Sequence, residues 1–433
     1  MGCKRKEIVA VILSAVLLLS AGCSDVKNGQ EIPNPGESEG VMMTPSGTDS
    51  SSEPSESPRA ENSGGALPSS SSSPQQATPN PDSNKATSPP SSDSQQAMMS
   101  PVTAVRLIDP SSGWSGGKGW ISRTEDGGKS WTVQYKGQQT VKQLFALNGQ
   151  EAWAVLGEDS EAAADRPLLH TTDGGREWAP AGKVPIGEFL HFVSSQEAFI
   201  GNQHTTDGGK TWTALPVPES IVGEAYYHDA ANGWAVTQGD QSFQIQRTTD
   251  GGVNWQNVMS GKTAGPLNGS IIRSAGAGDA WVELIGDSGM TQTSYSLFHT
   301  TDGGENWLTV LANSTAGGGP APGFPDNDSQ APSNTGSRPG PLYVVNPKIA
   351  FMGGQCPACD NPNTIGWTKD GGKSWENGEA EFPGYGNALL AAADADHVWW
   401  IITDSIEPSI MYTTSDGGKH WNKAHTFDPP AEN

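Results

Sequence analysis

Two cysteines separated by two residues, Cys356 and Cys359, have the spacing that most directly suggests chemistry in this 433-residue chain. Such a pair closes a small disulfide ring, performs thiol–disulfide exchange, or supplies half of a zinc site. Exchange normally needs a helix N-terminus that lowers the pKa of the first thiol, and no helical pattern follows here. No second cysteine pair or nearby histidine completes a zinc site. The spacing favours a disulfide that stiffens a loop; a redox pair, a zinc half-site and free thiols are the alternatives.

Seven aspartates recur in one pattern, Thr-x-Asp-Gly-Gly-x-x-Trp, and carboxylates of this kind could act as catalytic acids or metal ligands. The pattern favours a structural role, because an Asp side chain accepts backbone N–H groups across a tight turn and paired glycines supply positive φ. The Trp is expected to point into a core. We therefore predict structural turns, no catalytic residue, no metal ligand and no cofactor. The repeated residues are Asp126, Asp173, Asp207, Asp250, Asp302, Asp370 and Asp416, with Trp131, Trp178, Trp212, Trp255, Trp307, Trp375 and Trp421.

We call each copy of the Asp pattern a box. A small or β-branched residue followed by an aromatic one, here called the marker, precedes each box. Each repeat therefore reads as an inner strand, a middle strand with the aromatic residue, a third strand ending in the Asp turn and a fourth starting at the Trp. The spacing of the boxes is typical of four-stranded blades. We predict an all-β fold, a seven-bladed β-propeller over residues 101–428, closed by packing between blades or by residues just before Val102. The markers begin at Gly113, Ala152, Ala198, Gly233, Ala280, Ala350 and Val398.

The box resembles the Asp-box repeat of bacterial neuraminidases, and the seven-fold layout is similar to the photosystem II assembly and stability factor family. This resemblance implies a propeller that binds protein and helps a membrane complex to mature. Sialidases share the box, which implies a glycoside hydrolase as the alternative. The Arg-Ile-Pro segment that opens sialidases is absent, and Arg123, Arg176 and Arg247 lie beside Asp turns, where they cannot form a carboxylate-binding cluster on the other face.

The N-terminus has the order of an export signal, with basic residues, an apolar run from Ile8 to Leu19 and small residues before Cys23. Its ending resembles a bacterial lipobox. We predict a lipoprotein signal peptide over 1–22, lipidation of Cys23 and a disordered tether over 23–100, which is rich in Ser and Pro and has no aromatic residue. The predicted location is outside the cytoplasm, lipid-anchored to the membrane of a bacterial cell.

The formal net charge of −23 excludes nucleic acid as an expected partner and disfavours contact with anionic lipid except through the anchor. The expected partner is a protein or membrane complex, with wall glycan as the alternative, and the protein is expected to be a monomer.

Strand order places the Asp turns on one face of the propeller and the longer, irregular segments on the other, and such loops commonly carry binding sites. These segments include 157–167, 286–295 and the insertion 314–340. The candidate binding residues on this face are Glu158, Asp159, Asp287 and Asp360. The sequence predicts a non-catalytic, membrane-anchored scaffold that binds a protein or assembles a complex.

Overall fold

The computed structural model describes residues 98–158, 165–404 and 406–430. These residues belong to the unit Pro89–Asn433, one of two into which the chain divides. The predicted signal peptide, Cys23 with its predicted lipidation, and nearly all of the predicted tether lie outside the described residues. Within the described ranges no helix is long and apolar enough to cross a bilayer.

The described chain forms six antiparallel sheets, and neighbouring strands in each sheet follow one another in the sequence. Sheet 1 contains β1 (Val102–Leu107), β2 (Gly113–Thr124), β3 (Thr132–Ala146), β4 (Ala152–Gly157), β5 (Arg166–Thr171) and β6 (Ala179–Val184). Sheet 2 contains β7 (Leu190–Phe192), β8 (Ala198–Ile200), β9 (Gln203–Thr205) and β10 (Thr213–Ala214), and sheet 3 contains β11 (Tyr226–Tyr227), β12 (Gly233–Gly239), β13 (Ser242–Thr248) and β14 (Gln256–Lys262). Sheet 4 contains β15 (Gly269–Arg273), β16 (Ala280–Ser288), β17 (Thr293–Thr300) and β18 (Leu308–Asn313). Sheet 5 contains β19 (Arg338–Asn346), β20 (Ile349–Gln355), β21 (Asn363–Thr368) and β22 (Glu376–Asn377), and sheet 6 contains β23 (Ala388–Ala392), β24 (Val398–Ile402), β25 (Ile410–Thr414) and β26 (Asn422–Thr426).

This arrangement is a β-propeller with four-stranded blades, but it has six sheets in the described residues where seven separate blades were predicted. The difference lies in sheet 1, whose strands β2 and β3 are 12 and 15 residues long. The first part of β2 pairs with β1 and the second part with β3. The buried hydroxyls of Ser115 and Ser122 in β2 lie 2.8 Å apart, whereas seven residues of extended strand span about 23 Å. Strand β2 therefore folds back on itself near Gly119, whose φ is 80°.

The core lies in the seams between neighbouring sheets. The aromatic residue of each predicted marker is buried at 0–2% exposure, on β4 for Trp153 and on the second strand of its sheet for the other six. Between sheets 3 and 4, for example, Trp234 and Phe243 pack with Val282 and Phe298 in one apolar cluster. Large aromatic and aliphatic side chains of this kind supply most of the driving force for folding, because they remove apolar area from water.

The two ends of the described chain meet between sheet 1 and sheet 6. Trp120 stacks on Phe427 with 6.4 Å between ring centroids, and both belong to an apolar cluster with Trp399. Just before β1, the backbone N–H of Met99 donates to Oδ2 of Asp428 over 2.7 Å. Packing between sheets and the residues before Val102 both contribute to ring closure.

Candidate functional site

The Asp turns share one hydrogen-bonding pattern, which Asp302 illustrates. Its Oδ1 accepts the Thr300 hydroxyl over 2.8 Å and the Asn306 backbone N–H over 2.9 Å, and its Oδ2 accepts the Asn306 side-chain amide over 2.7 Å. The backbone N–H of Asn306, followed by its side-chain amide, lowers the pKa of Asp302 to about 2. The corresponding Thr hydroxyl and backbone bonds recur at Asp126, Asp173, Asp207, Asp250, Asp370 and Asp416. These carboxylates are occupied within their own turns, as a structural role requires.

Each Asp turn is also tied to a neighbouring loop at the same end of its sheet. The first glycine of the box, such as Gly303 with φ 77°, donates its N–H to the loop that precedes the marker strand, here the carbonyl of Gly278 over 2.8 Å. The Asp turns therefore share one face with these loops, which we call the Asp-turn face. Turns between second and third strands and connections between sheets lie at the opposite ends of the strands, on the connector face.

The box tryptophans are less buried than predicted. Trp178 is buried at 9% exposure, whereas the other six are half-buried. Each indole immediately precedes a strand, β3 for Trp131 and the last strand of the sheet for the other six, and remains partly in contact with solvent. Trp307 packs edge-on against Trp234 of the preceding sheet, and Trp131 packs in the same way against Trp399.

A cavity of about 410 Å³ lies where the inner strands converge. Burial, followed by the nearby charge of Glu224, raises the pKa of Glu188 in its wall to about 7. The Glu224 carboxylate accepts the Phe189 N–H over 3.1 Å, and the Arg273 guanidinium lies 3.8 Å from the centroid of the Phe189 ring. Arg106 lines the same cavity. Sequence reasoning missed these residues, because only the closed ring brings their strands together.

The candidate acidic residues do not form one site. Glu158 is half-buried immediately after β4 in sheet 1, and Asp159 lies outside the described residues. Asp287 is exposed near the end of β16, where its Oδ1 accepts the Ser288 N–H over 2.7 Å. Asp360 is exposed between β20 and β21 of sheet 5. The three described residues share the connector face but belong to three different sheets.

Two predicted irregular segments are more ordered than their composition indicates. In 286–295, Tyr295 is fully buried in β17, so the loop itself is short. In the insertion 314–340, Phe324 stacks 6.4 Å from Phe298, and Asn334 is buried with its side-chain amide donating to the Gly353 carbonyl over 3.0 Å. Most of the insertion is packed against sheets 3 to 5, and its last three residues begin β19.

The connector face carries a disulfide and exposed apolar side chains. Cys356 and Cys359 are joined by an S–S bond of 1.99 Å, and the Tyr385 hydroxyl donates to the Cys359 carbonyl over 3.2 Å. Met290, Ile406 and Tyr385 are 94%, 80% and 64% exposed. Among the described residues, no group of three or more His, Cys, Asp and Glu side chains is arranged to hold a metal ion.

A family model described as the BNR/Asp-box repeat matches residues 203–214. No curated protein matches the chain. Among solved structures, the chain is similar to YCF48 bound to D1 peptide, at 15% identity over 78% of this chain and 95% of that chain, with a TM-score of 0.41. It is also similar to the GH74 xyloglucanase from Xanthomonas campestris, at 13% identity over 75% of this chain and 54% of that chain, with a TM-score of 0.48. A third similar structure is the SapL1 lectin in complex with alpha methyl fucoside, at 13% identity over 77% of this chain and 98% of that chain, with a TM-score of 0.38.

Proposed function

We propose that this protein is a non-catalytic scaffold whose connector face binds another protein or a membrane complex. The observation that carries the proposal is the exposure of three large apolar side chains on this face, Met290, Tyr385 and Ile406. The Tyr385 hydroxyl donates a hydrogen bond to the Cys359 carbonyl in the disulfide loop. Asp404 Oδ1 accepts the Ile406 N–H over 2.8 Å. Exposed apolar side chains on ordered loops are typical of interaction surfaces, because little conformational entropy is lost on binding.

The proposal includes a scaffold of seven blades, with two of them in sheet 1. The fold-back of β2 supports this count, since it supplies the middle two strands of one blade. The cavity wall supports it as well, because it is lined by seven successive inner segments. The sequence contains seven boxes, one for each such unit.

The proposal also places the propeller outside the cytoplasm, attached through acylated Cys23 after removal of residues 1–22. Residues 23–100 would act as the tether, and the propeller 101–428 would be a monomer. The support for this part is the order of basic, apolar and small residues before Cys23 and the Ser/Pro-rich composition that follows. Globomycin treatment of cells that express the tagged chain tests it: accumulation of an unprocessed precursor is expected, and unchanged mobility contradicts lipoprotein processing.

A second candidate is a glycoside hydrolase, and the observation that favours it is the Glu188 and Glu224 pair in the central cavity. A carboxyl whose pKa is raised to about 7 can share general acid and base roles with a second carboxyl in the same cavity. Assay of the full-length protein against a panel of aryl glycosides and wall polysaccharides tests this candidate. Activity that is lost in both Glu188→Gln and Glu224→Gln would replace the scaffold proposal, whereas binding of wall glycan without cleavage would favour a glycan-binding function.

In-cell crosslinking of the tagged chain, followed by mass spectrometry, tests the scaffold proposal. A membrane protein captured from the connector face is the expected result. Wall glycan without a protein partner would contradict it.

A further inference from the structure

The exposed apolar side chains of the connector face lie along a continuous path of contacts across sheets 4 to 6. Arg338 donates to the Met290 carbonyl, and its own backbone pairs with Gln355, the residue before the disulfide. Beyond the disulfide, the hydrogen bond from the Tyr385 hydroxyl to the Cys359 carbonyl connects this loop with the segment that precedes sheet 6.

The path continues from Tyr385 to Ile406. Two residues after Tyr385, the Asn387 carbonyl accepts the Thr403 N–H over 2.8 Å. The neighbouring Asp404 Oδ1 then accepts the Ile406 N–H over 2.8 Å. Three exposed apolar side chains on successive sheets are thus linked by hydrogen bonds and strand pairing across one part of the connector face.

This surface is strongly acidic. The segments 286–292, 314–340, 356–362, 378–387 and 403–409 contain eight Asp and Glu residues and one basic residue, Arg338. Asp360, Glu381 and Glu407 are exposed. Glu407 directly follows Ile406, Asp360 directly follows Cys359, whose carbonyl accepts the Tyr385 hydroxyl, and Glu381 lies four residues before Tyr385. We call Met290, Tyr385 and Ile406 with Asp360, Glu381 and Glu407 the sheet 4–6 patch.

The charge of the chain itself restricts what can cover the patch. Residues 23–97 contain ten acidic and three basic residues, so the chain's own N-terminal segment would be repelled. A second copy, with a net charge of −23, and an anionic bilayer are disfavoured in the same way. A metal ion is not indicated, because the described residues contain no group of carboxylates arranged as a ligand set.

We propose that the sheet 4–6 patch binds a basic, amphipathic segment of a partner protein, in which Lys or Arg side chains alternate with apolar ones. Apolar side chains of the segment would pack against Met290, Tyr385 and Ile406, while its cations would pair with the surrounding carboxylates. The inference rests on the proposed scaffold function and adds the chemistry and place of recognition.

Fluorescence anisotropy with the full-length protein tests the inference, using a labelled peptide of Lys and Leu at helical spacing as the probe. Two comparison peptides replace Lys by Glu or Leu by Ser. The patch variant combines Asp360→Asn, Glu381→Gln and Glu407→Gln. A matched control, with the same change in net charge on the Asp-turn face, combines Glu177→Gln, Glu305→Gln and Glu376→Gln.

We expect the Lys–Leu peptide to bind, the Lys–Ser peptide to bind more weakly and the Glu–Leu peptide not to bind. The patch variant should weaken binding about tenfold, and the control less than about twofold. Replacing Met290 and Ile406 by Ser should weaken Lys–Leu binding, whereas Val253→Ser on the Asp-turn face should not. The inference would be overturned if the patch and control variants weakened Lys–Leu binding equally. It would also be overturned if the Glu–Leu peptide bound as tightly as the Lys–Leu peptide.

In-cell crosslinking separates this inference from the proposed function. A protein partner captured equally by the wild type and the patch variant would leave the scaffold function standing and overturn the basic-segment inference. Failure to capture any protein from the connector face would contradict both.

Discussion

His299 and Asp279 form a buried pair at one end of sheet 4, with 2.9 Å between His299 Nε2 and Asp279 Oδ1. The His299 ring also stacks on Trp281 at 3.7 Å between centroids, and its Nδ1 lies 2.8 Å from the Gly371 carbonyl in the Asp turn of sheet 5. A carbonyl oxygen only accepts hydrogen bonds, so Nδ1 carries a proton. The ring is therefore held from both nitrogens, by Gly371 at Nδ1 and by Asp279 at Nε2.

We predict strong energetic coupling between these two residues. Either His299→Phe or Asp279→Ala should lower the free energy of unfolding by about 3–5 kcal/mol, because each leaves the other polar group buried without its partner. The double variant should cost at least about 1 kcal/mol less than the two single costs combined. Urea denaturation of the four proteins measures this coupling. The partly exposed His397 and Asp394 pair is the control and should show coupling below about 1 kcal/mol; equal coupling in the two cycles would contradict the account.

Glu283 should make the propeller less stable as the pH rises. Its carboxyl is fully buried in β16 with both oxygens unpaired among the described residues, and burial raises its pKa to about 8 despite the nearby charge of Arg273. The unfolded carboxyl ionises near pH 4.3, so between that pH and about 8 the folded state binds more protons and stability falls as the pH rises. Glu283→Gln should therefore raise Tm relative to the wild type more at pH 8 than at pH 5. An equal shift at both pH values would contradict this.

The Asp turns should contribute to stability without taking part in binding. Asp370→Ala removes bonds from Thr368 and Ser374 and should cost about 1 kcal/mol, a modest value because the carboxylate is exposed to solvent. Thermal denaturation and binding of the Lys–Leu peptide are measured on the same preparation. The exposed Asp328→Ala should change stability by less than about 0.5 kcal/mol. Loss of binding in Asp370→Ala with an unchanged Tm would show that the turn has a functional role.

Ring closure should depend on Phe427, which is 2% exposed and contacts both Trp120 and Trp131. Phe427→Ala should cost about 3 kcal/mol, because it opens a cavity in the seam between the first and last sheets. Denaturant unfolding measures the loss, with the exposed Tyr385→Ala as the control. A loss below about 1 kcal/mol would mean that the seam is held mainly by other contacts.

The boxes allowed the turns and most strands to be predicted, because the carboxylate, hydroxyl and glycine chemistry of each turn is local. The sequence contains a further signal that the box pattern alone does not reveal. A histidine precedes the box Thr and an acidic residue precedes the marker, as His299 and Asp279 do. The same pairing recurs as His170 with Glu151 and His204 with Glu197.

Features that depend on tertiary packing could not be predicted in the same way. The hydroxyl contact of Ser115 and Ser122 depends on where β2 folds back, and the convergence of Glu188 and Glu224 depends on the closed ring. The insertion 314–340 has the composition of a loop, yet Phe324 and Asn334 hold it against neighbouring sheets. Exposure of Met290 and Ile406 follows from loop conformation, which composition does not determine.

The most direct test of the scaffold function places a photo-crosslinking amino acid at Tyr385 on the connector face and, in a second variant, at Val253 on the Asp-turn face. Both side chains are exposed, at 64% and 74%, so the two positions are matched in accessibility. The account predicts a discrete protein crosslink in living cells from position 385 and none from position 253. Absence of any protein crosslink at 385, or the same crosslinked protein from both positions, would contradict a connector face that binds a partner.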